Sequence, residues 1–288
     1  MINFLTIGAA KSGTTTLHDI LIQHPDICLP DEKDFHFFDD DENYKKGIKW
    51  YEKKFSGSSN EKITGEISAT YLYSEKAAQR IVDDFGSSIK IAVILRNPAN
   101  RAFSEYLHQK RTYGHKVPNI NEYFGTKGKI GKDMPFYSTI IERGFYFKHL
   151  KRYIDFVGKE NIKILFLERL SKDPANEIQN ILSFLGADIN SSLSVNKVSN
   201  PKFLPKSRTF HKLFFSEHNN PIRKALKFIV PSFKYRKNIR KFFKRINRKK
   251  VVEERINKEL YLYLLDEVYR SDITSLETFL GNEIDYWK

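Results

Sequence analysis

The sequence predicts an α/β fold, a central parallel sheet with helices packed on both of its faces. Three observations predict it. Short apolar runs of strand character alternate with segments of helical periodicity, the pattern of parallel strands joined by right-handed crossovers. One run, "IKIAVILRNP", is almost unbroken in its apolar residues, as a strand covered on both faces requires. The third is a glycine turn between the first run and the first helical segment, in "FLTIGAAKSGTTTLHDILIQHP" at residues 4–25.

Taken in order, Phe4, Leu5 and Ile7 make a short buried strand. From Thr14 the pattern turns helical, with Leu17, Ile20 and Leu21 at helical spacing and His24-Pro25 as the stop. Residues 27–29 read as a strand, followed by an acidic, aromatic loop, "PDEKDFHFFDDDENY". Trp50, Tyr51 and Phe55 predict a helix over 44–55. Ile63–Ile67 reads as a strand, and 75–85 as a helix with Ala77, Ala78, Ile81 and Val82 inward. The strong strand ends at Arg96, where Asn97-Pro98 opens a helix carrying Arg101, Ser104, Tyr106 and Leu107. Residues 113–137, rich in glycine and proline, read as a long loop of the kind that often carries function. A helix over 145–157, a second core strand in "NIKILFLE" and a helix over Pro174–Leu185 complete the alternation.

The glycine turn sets the ligand class. Gly8 and Gly13 have the spacing of a phosphate loop, G-x-x-x-x-G-K-[ST]. Thr14, however, stands where that pattern has its lysine, and the basic residue, Lys11, comes two positions before Gly13. A strand, a glycine turn and a helix N-terminus still leave backbone N–H groups aimed at one spot, where the helix dipole favours an anion. The expected architecture is therefore P-loop-like, a three-layer α/β/α fold with a central parallel sheet. Its ligands belong at the carboxyl ends of the strands, where both the glycine turn and Arg96 lie. A guanidinium at Arg96 offers a planar fork to phosphate oxygens, and the helix brings Ser104 back beside the strand end. Arg101, on the same helix, is more ambiguous, because an exposed helix arginine is usually just solvated.

Composition narrows the class further. A chain of 288 residues with 40% hydrophobic and 14% aromatic residues is globular, and it is expected to form one domain over 1–288. The lone cysteine, Cys28, excludes an internal disulfide and suits a reducing compartment. No segment approaches the roughly 20 continuous apolar residues of a membrane span, and the first strand begins too early for a signal peptide. The expected address is the cytoplasm. The net charge of +14 is unevenly distributed: residues 206–250 hold 16 Lys/Arg against the single acid Glu217, an excess of +15, which leaves the rest at −1.

Several segments, in order, resemble the sulfotransferase family that uses 3′-phosphoadenosine 5′-phosphosulfate (PAPS), in its bacterial and heparan-sulfate-type branch. "AAKSGTTTL" resembles the family's 5′-phosphosulfate loop, and "LRNPANRAFSEYLHQ" its 3′-phosphate motif. "EKDFHFF" is similar to its K-E-x-H-F-F segment and "GEISATYLY" to its G-E-x-x-P-x-Y-L segment. "RGFYFKHLKRYIDFVGKENIKILFLERLSKDPANEIQNILSFLG", "PKSR" and "YRSDITSLETFLGNEIDYW" complete a resemblance that covers nearly the full chain. It implies a transferase that moves a sulfuryl group from PAPS to a hydroxyl, or an amine, of a glycan or lipid-linked sugar, leaving adenosine 3′,5′-bisphosphate. It implies no metal. Lys11, Ser12, Gly13, Thr14, Thr15 and Thr16 would hold the 5′-phosphosulfate, Arg96 and Ser104 the 3′-phosphate, and Lys206, Ser207 and Arg208 would close over the nucleotide. The misplaced lysine then suits a different leaving group: it can reach the oxygen bridging phosphorus and sulfur, where charge builds as the bond breaks.

Transfer to an alcohol also needs a proton acceptor. By resemblance it is Asp34, an aspartate where the family usually has glutamate; His36 and Glu66 are the alternatives. Ile67 stands where heparan-sulfate-type members often carry a lysine. The acidic run at 39–42 has no regular metal-ligand spacing and reads as a solvated loop. The basic block reads as a helical segment inserted before the C-terminal helix, suited to peripheral contact with an anionic membrane at its inner face or to an anionic polysaccharide. No specific nucleic acid is expected. Two other readings stand beside the transferase: a P-loop nucleotide kinase, and a non-catalytic module that binds anionic membrane or nucleic acid through that block.

Overall fold

The computed structural model describes residues 2–55, 62–114, 117–124, 137–191, 193–194, 204–205, 248–249 and 256–287. Five parallel strands form the central sheet in the order β2-β3-β1-β4-β5: β1 (Phe4–Thr6), β2 (Ile27–Cys28), β3 (Ile63–Ile67), β4 (Lys90–Leu95) and β5 (Ile162–Phe166). Leu5 of β1 sits opposite Glu66 on one side and Ile91 on the other. The order of the chain reverses at β1, so the carboxyl end of that strand is the switch point at which such sheets bind ligands.

The two-faced burial inferred for the strongest strand is explicit. Ile91, Val93 and Leu95 enter one apolar core, while Ala92 and Ile94 enter the other. The second core is closed by α1 (Thr14–Leu21) and α10 (Pro174–Leu185) through Leu17, Ile20, Ile178 and Ile181. The first core takes α4 (Ala77–Phe85), α5 (Pro98–Tyr113) and α8 (Tyr146–Val157), then the C-terminal α11 (Lys258–Tyr263) and α12 (Arg270–Leu280). These are the three expected layers.

Local chemistry fixes the entry to α5, the helix that follows Arg96. The Asn97 side chain caps it by accepting from the Asn100 N–H (3.1 Å), and Pro98 occupies the first turn, where its missing N–H has no partner to lose. Asn97 is itself held: its N–H donates to Glu168 Oε1 (2.9 Å), and its amide donates to the Trp287 carbonyl (3.1 Å).

Three expectations need correction. The helix over 44–55 is interrupted: α2 (Asp41–Tyr44) and α3 (Ile48–Glu52) are separated by Gly47, whose φ of 78° lies outside the helical region. The loop over 113–137 contains α6 (Ile120–Phe124), and α7 (Tyr137–Glu142) begins at its end. The Tyr123 and Phe124 rings pack against Tyr106 of α5, at 5.1 and 5.7 Å between centroids. The second core strand, β5, is an edge strand, with Ile162, Lys163 and Ile164 only half-buried.

A direct turn, α9 (Leu167–Lys172), links β5 to α10. Within the basic block only β7 (Arg248–Lys249) is described, paired antiparallel with β6 (Leu204–Pro205). Lys206, Ser207, Arg208 and the expected membrane-facing helical segment lie outside the described residues. Among the described residues no helix is long and apolar enough to cross a membrane.

Candidate active site

Beyond β1 the backbone stays strapped to β4: Ala9 N–H donates to the Ile94 carbonyl (2.9 Å), and Ile94 N–H donates to that of Gly8 (2.9 Å). Ala10 N–H donates to the Tyr73 hydroxyl (3.0 Å). The chain then turns through Lys11, at a left-handed φ of 68°, and Gly13, at 101°, into α1. Gly13 offers no side chain to cap the helix, so the first-turn N–H groups of α1 face the turn without a capping acceptor.

Lys11 is half-buried in a crowd of like charge. Burial is the main force lowering its pKa, Glu105 opposes it, and Arg111, Arg101 and Arg96 lower it further. Arg96 Nη1 also donates to the Lys11 carbonyl (3.2 Å), which ties the end of β4 to the glycine turn. The Tyr146 hydroxyl fixes Arg96 from behind by donating to its carbonyl (2.8 Å). Ser104 lies half-buried on α5. The structure decides the ambiguity at Arg101 against a solvated side chain. It is fully buried, its guanidinium donates to the Ile140 carbonyl, and its Nη1 lies 3.7 Å from Glu105 Oε2. The signal was available: Arg101 and Arg111 fall ten residues apart on one stripe of α5, and both act on Lys11.

The other wall is the 33–39 segment. Asp34 Oδ1 accepts from the Ala69 N–H (2.7 Å), and its Oδ2 lies 2.9 Å from Lys33 Nζ. Lys33 Nζ also donates to Thr14 Oγ1 (3.3 Å), so one ammonium joins the helix start to the carboxylate. Lys33 opens the segment similar to K-E-x-H-F-F, but the sequence reading gave it no role. His36 does not share the burial of Phe37 and Phe38: its side chain is 50% exposed and bonded through Nδ1 to Asp39 Oδ2 (3.2 Å). That hydrogen bond raises the His36 pKa, which favours the protonated ring and weakens its claim as a proton acceptor. Phe37 and Phe38 are the buried members. The acidic run is engaged throughout: Asp39 by Thr70, Asp40 by the Asn43 N–H, Asp41 by Lys76 and Arg80, and Glu42 by Lys45.

Glu66, the third alternative, is fully buried. Oε1 accepts from the Phe35 N–H (2.8 Å), and Oε2 accepts from the Tyr51 and Tyr71 hydroxyls (2.6 and 2.8 Å). Its task is to anchor the segment that carries Asp34. Burial outweighs these three donors and pushes its pKa from 4.5 up to about 7. The folded chain therefore holds this proton to higher pH than the unfolded chain, so stability falls as pH rises between those values. The loss is on the order of 3 kcal/mol across the window. Urea unfolding at pH 5 and pH 8 should show this decline in the parent and a flatter profile in Glu66→Gln. Equal slopes would contradict it.

A family profile described as "Sulfotransferase domain" matches residues 2–250. The chain belongs to the sulfotransferase domain family. Among proteins of known role, this sulfotransferase-family chain is 35% identical over 184 residues to heparan sulfate glucosamine 3-O-sulfotransferase 5 of Mus musculus, covering 63% of the chain and 52% of that protein. It is 30% identical over 267 residues to bifunctional heparan sulfate N-deacetylase/N-sulfotransferase 4 of Mus musculus, covering 77% of the chain and 30% of the relative. The chain thus spans about half the length of the first relative and less of the second. A crystal structure of a sulfotransferase from Alicyclobacillus acidocaldarius has the same fold, with a TM-score of 0.69 at 23% identity over 100% of this chain and 98% of that one.

Proposed function

We propose that this sulfotransferase-family chain transfers a sulfuryl group from PAPS to a hydroxyl, or an amine, of a glycan or lipid-linked sugar. One observation carries the reading: Lys11, Arg96, Arg101 and Arg111 converge on the glycine turn with Glu105 as the acid among them. Such a concentration of positive charge, half-buried except for the fully buried Arg101, suits a ligand with several negative charges. PAPS supplies a sulfuryl group on a good leaving phosphate. The first-turn N–H groups of α1 and the hydroxyls of Thr14, Thr15 and Thr16, with Ser12 in the turn, would hold the 5′ end. Arg96 and Ser104 would hold the 3′-phosphate.

Lys11 would balance charge on the oxygen that leaves with phosphorus. Asp34, fixed by Ala69, would take the acceptor proton as the new O–S or N–S bond forms. The kinship with heparan sulfate enzymes supports a glycan acceptor. We assign residues 1–288 to one cytoplasmic domain, in which the start of the basic block closes over the donor and the remainder meets an anionic membrane or polysaccharide.

Calorimetry tests the donor site. The parent should bind adenosine 3′,5′-bisphosphate more tightly than adenosine 5′-phosphate. Arg96→Ala should weaken the bisphosphate by roughly tenfold or more, the worth of a charge-assisted hydrogen bond, and leave the monophosphate nearly unchanged. Equal losses for both would refute a 3′-phosphate contact, and a parent that binds neither would refute the donor. Radiolabelled PAPS offered with a panel of desulfated glycans and lipid-linked sugars then reads out transfer.

A further inference from the structure

Arg96 is the first residue beyond β4, and Pro98 already belongs to α5, so the chain passes from strand to helix within one corner. The peptide group between Arg96 and Asn97 is held there at both of its polar atoms. Its carbonyl accepts from the Tyr146 hydroxyl (2.8 Å), and its N–H donates to Glu168 Oε1 (2.9 Å). Because a peptide group is planar, holding both atoms sets the ψ of Arg96 and the φ of Asn97. One buried side chain backs both holding groups: Trp287, in the turn Asp285–Trp287. Its indole N–H donates to Glu168 Oε2 (3.2 Å), and its ring centroid lies 5.9 Å from that of Tyr146 and 5.5 Å from that of Phe166. The Trp287 carbonyl also accepts from the Asn97 amide (3.1 Å), so the turn reaches the same corner through backbone as well as side chain.

We infer that Glu168 and Trp287 are positioning residues for the donor's 3′-phosphate, acting through Arg96; the inference rests on the reading of Arg96 as the 3′-phosphate contact. A guanidinium binds phosphate oxygens best when its planar fork is presented at one angle, and a long side chain is aimed from a fixed backbone. The far end of Arg96 is already tied, since its Nη1 donates to the Lys11 carbonyl (3.2 Å). Glu168 and Trp287 fix the near end. Glu168 also carries charge of the useful sign: burial is the main force lowering the Arg96 pKa, and this carboxylate opposes it. Neither residue needs to touch the donor, because the two oxygens of Glu168 accept from Asn97 and Trp287. Without the indole N–H, Glu168 loses one of these two donors. The peptide after Arg96 then has a looser partner, and the guanidinium loses its aim.

The test isolates the 3′-phosphate and needs no acceptor. Trp287→Phe keeps an aromatic ring and deletes the indole N–H. By calorimetry it should bind adenosine 3′,5′-bisphosphate roughly fivefold more weakly than the parent and adenosine 5′-phosphate within about twofold of it. Glu168→Gln should lose at least as much, because its amide nitrogen cannot accept from either donor. The deciding measurement is the double variant. In an Arg96→Ala background Trp287→Phe should cost nothing further, since no guanidinium remains to be aimed. Equal losses for the two nucleotides, no loss for either, or an undiminished loss in the Arg96→Ala background would each overturn the inference and leave the turn a structural brace. A parent that does not prefer the bisphosphate, or an Arg96→Ala variant that keeps the preference, removes the 3′-phosphate reading and the inference with it, a result distinct from those three. Should thermal melting show Trp287→Phe to be unfolded, Glu168→Gln replaces it with the same criteria.

Discussion

Lys11→Ala is expected to lose on the order of 10²–10³ in turnover at saturating PAPS, the usual effect of removing a preorganised donor to developing charge. Two features make the result interpretable. Lys11 lies within a group of arginines, so its removal relieves repulsion in the free protein. It already occupies left-handed backbone, where alanine is strained no more than lysine. The melting temperature of the variant should therefore equal or exceed that of the parent. Turnover near the parent value, in a variant that melts as the parent does, would remove Lys11 from the leaving-group role.

Asp34→Asn should lose on the order of 10²–10⁴ in turnover while keeping its affinity for adenosine 3′,5′-bisphosphate, because general-base catalysis is what the substitution removes. Asparagine retains an oxygen to accept from the Ala69 N–H and tolerates left-handed φ better than most residues, so the segment should keep its shape. A steady-state comparison with His36→Ala decides between the two candidates. Activity that survives in Asp34→Asn and disappears in His36→Ala would move the proton acceptor to the histidine, against the Asp39 bond that favours its protonated form.

Much of the fold was legible because its signals are local. The apolar run of β4 announces two covered faces, and the glycines after β1 announce a turn into a helix whose first N–H groups are open. The same local reading failed where a neighbour in space decides the outcome. Periodicity predicted one helix over 44–55, but Gly47 adopts a conformation that helix cannot contain. Glycine and proline suggested a featureless loop before α7, yet Tyr123 and Phe124 find Tyr106 and a helical turn forms around them.

The site divides in the same way. Lys11 and Arg96 stand out by their positions at strand ends, but the hydrogen bond between them belongs to the assembled sheet. Arg101 looked like an exposed helix arginine because its carbonyl partner, on Ile140, comes from a different helix. Lys33 opens the stretch similar to K-E-x-H-F-F, yet its contact with Asp34 accompanies a backbone angle at the following residue that nothing in "EKDFHFF" announces.

The strand order constrains the route by which the chain can reach this structure. β1 precedes the other four strands of the sheet in the chain, yet it is the middle of the sheet, with Phe4 paired to Gly65 on one side and Lys90 on the other. Neither pairing is local, and each must close a long loop before any of its apolar contacts can repay the lost chain entropy. β1 therefore has no partner in this sheet until β3 and β4 have been made, and folding should proceed on the slow side for an α/β domain. A short deletion through Thr6 would not trim an edge. It would cut the sheet into two pairs, β2 with β3 and β4 with β5, with nothing to join them.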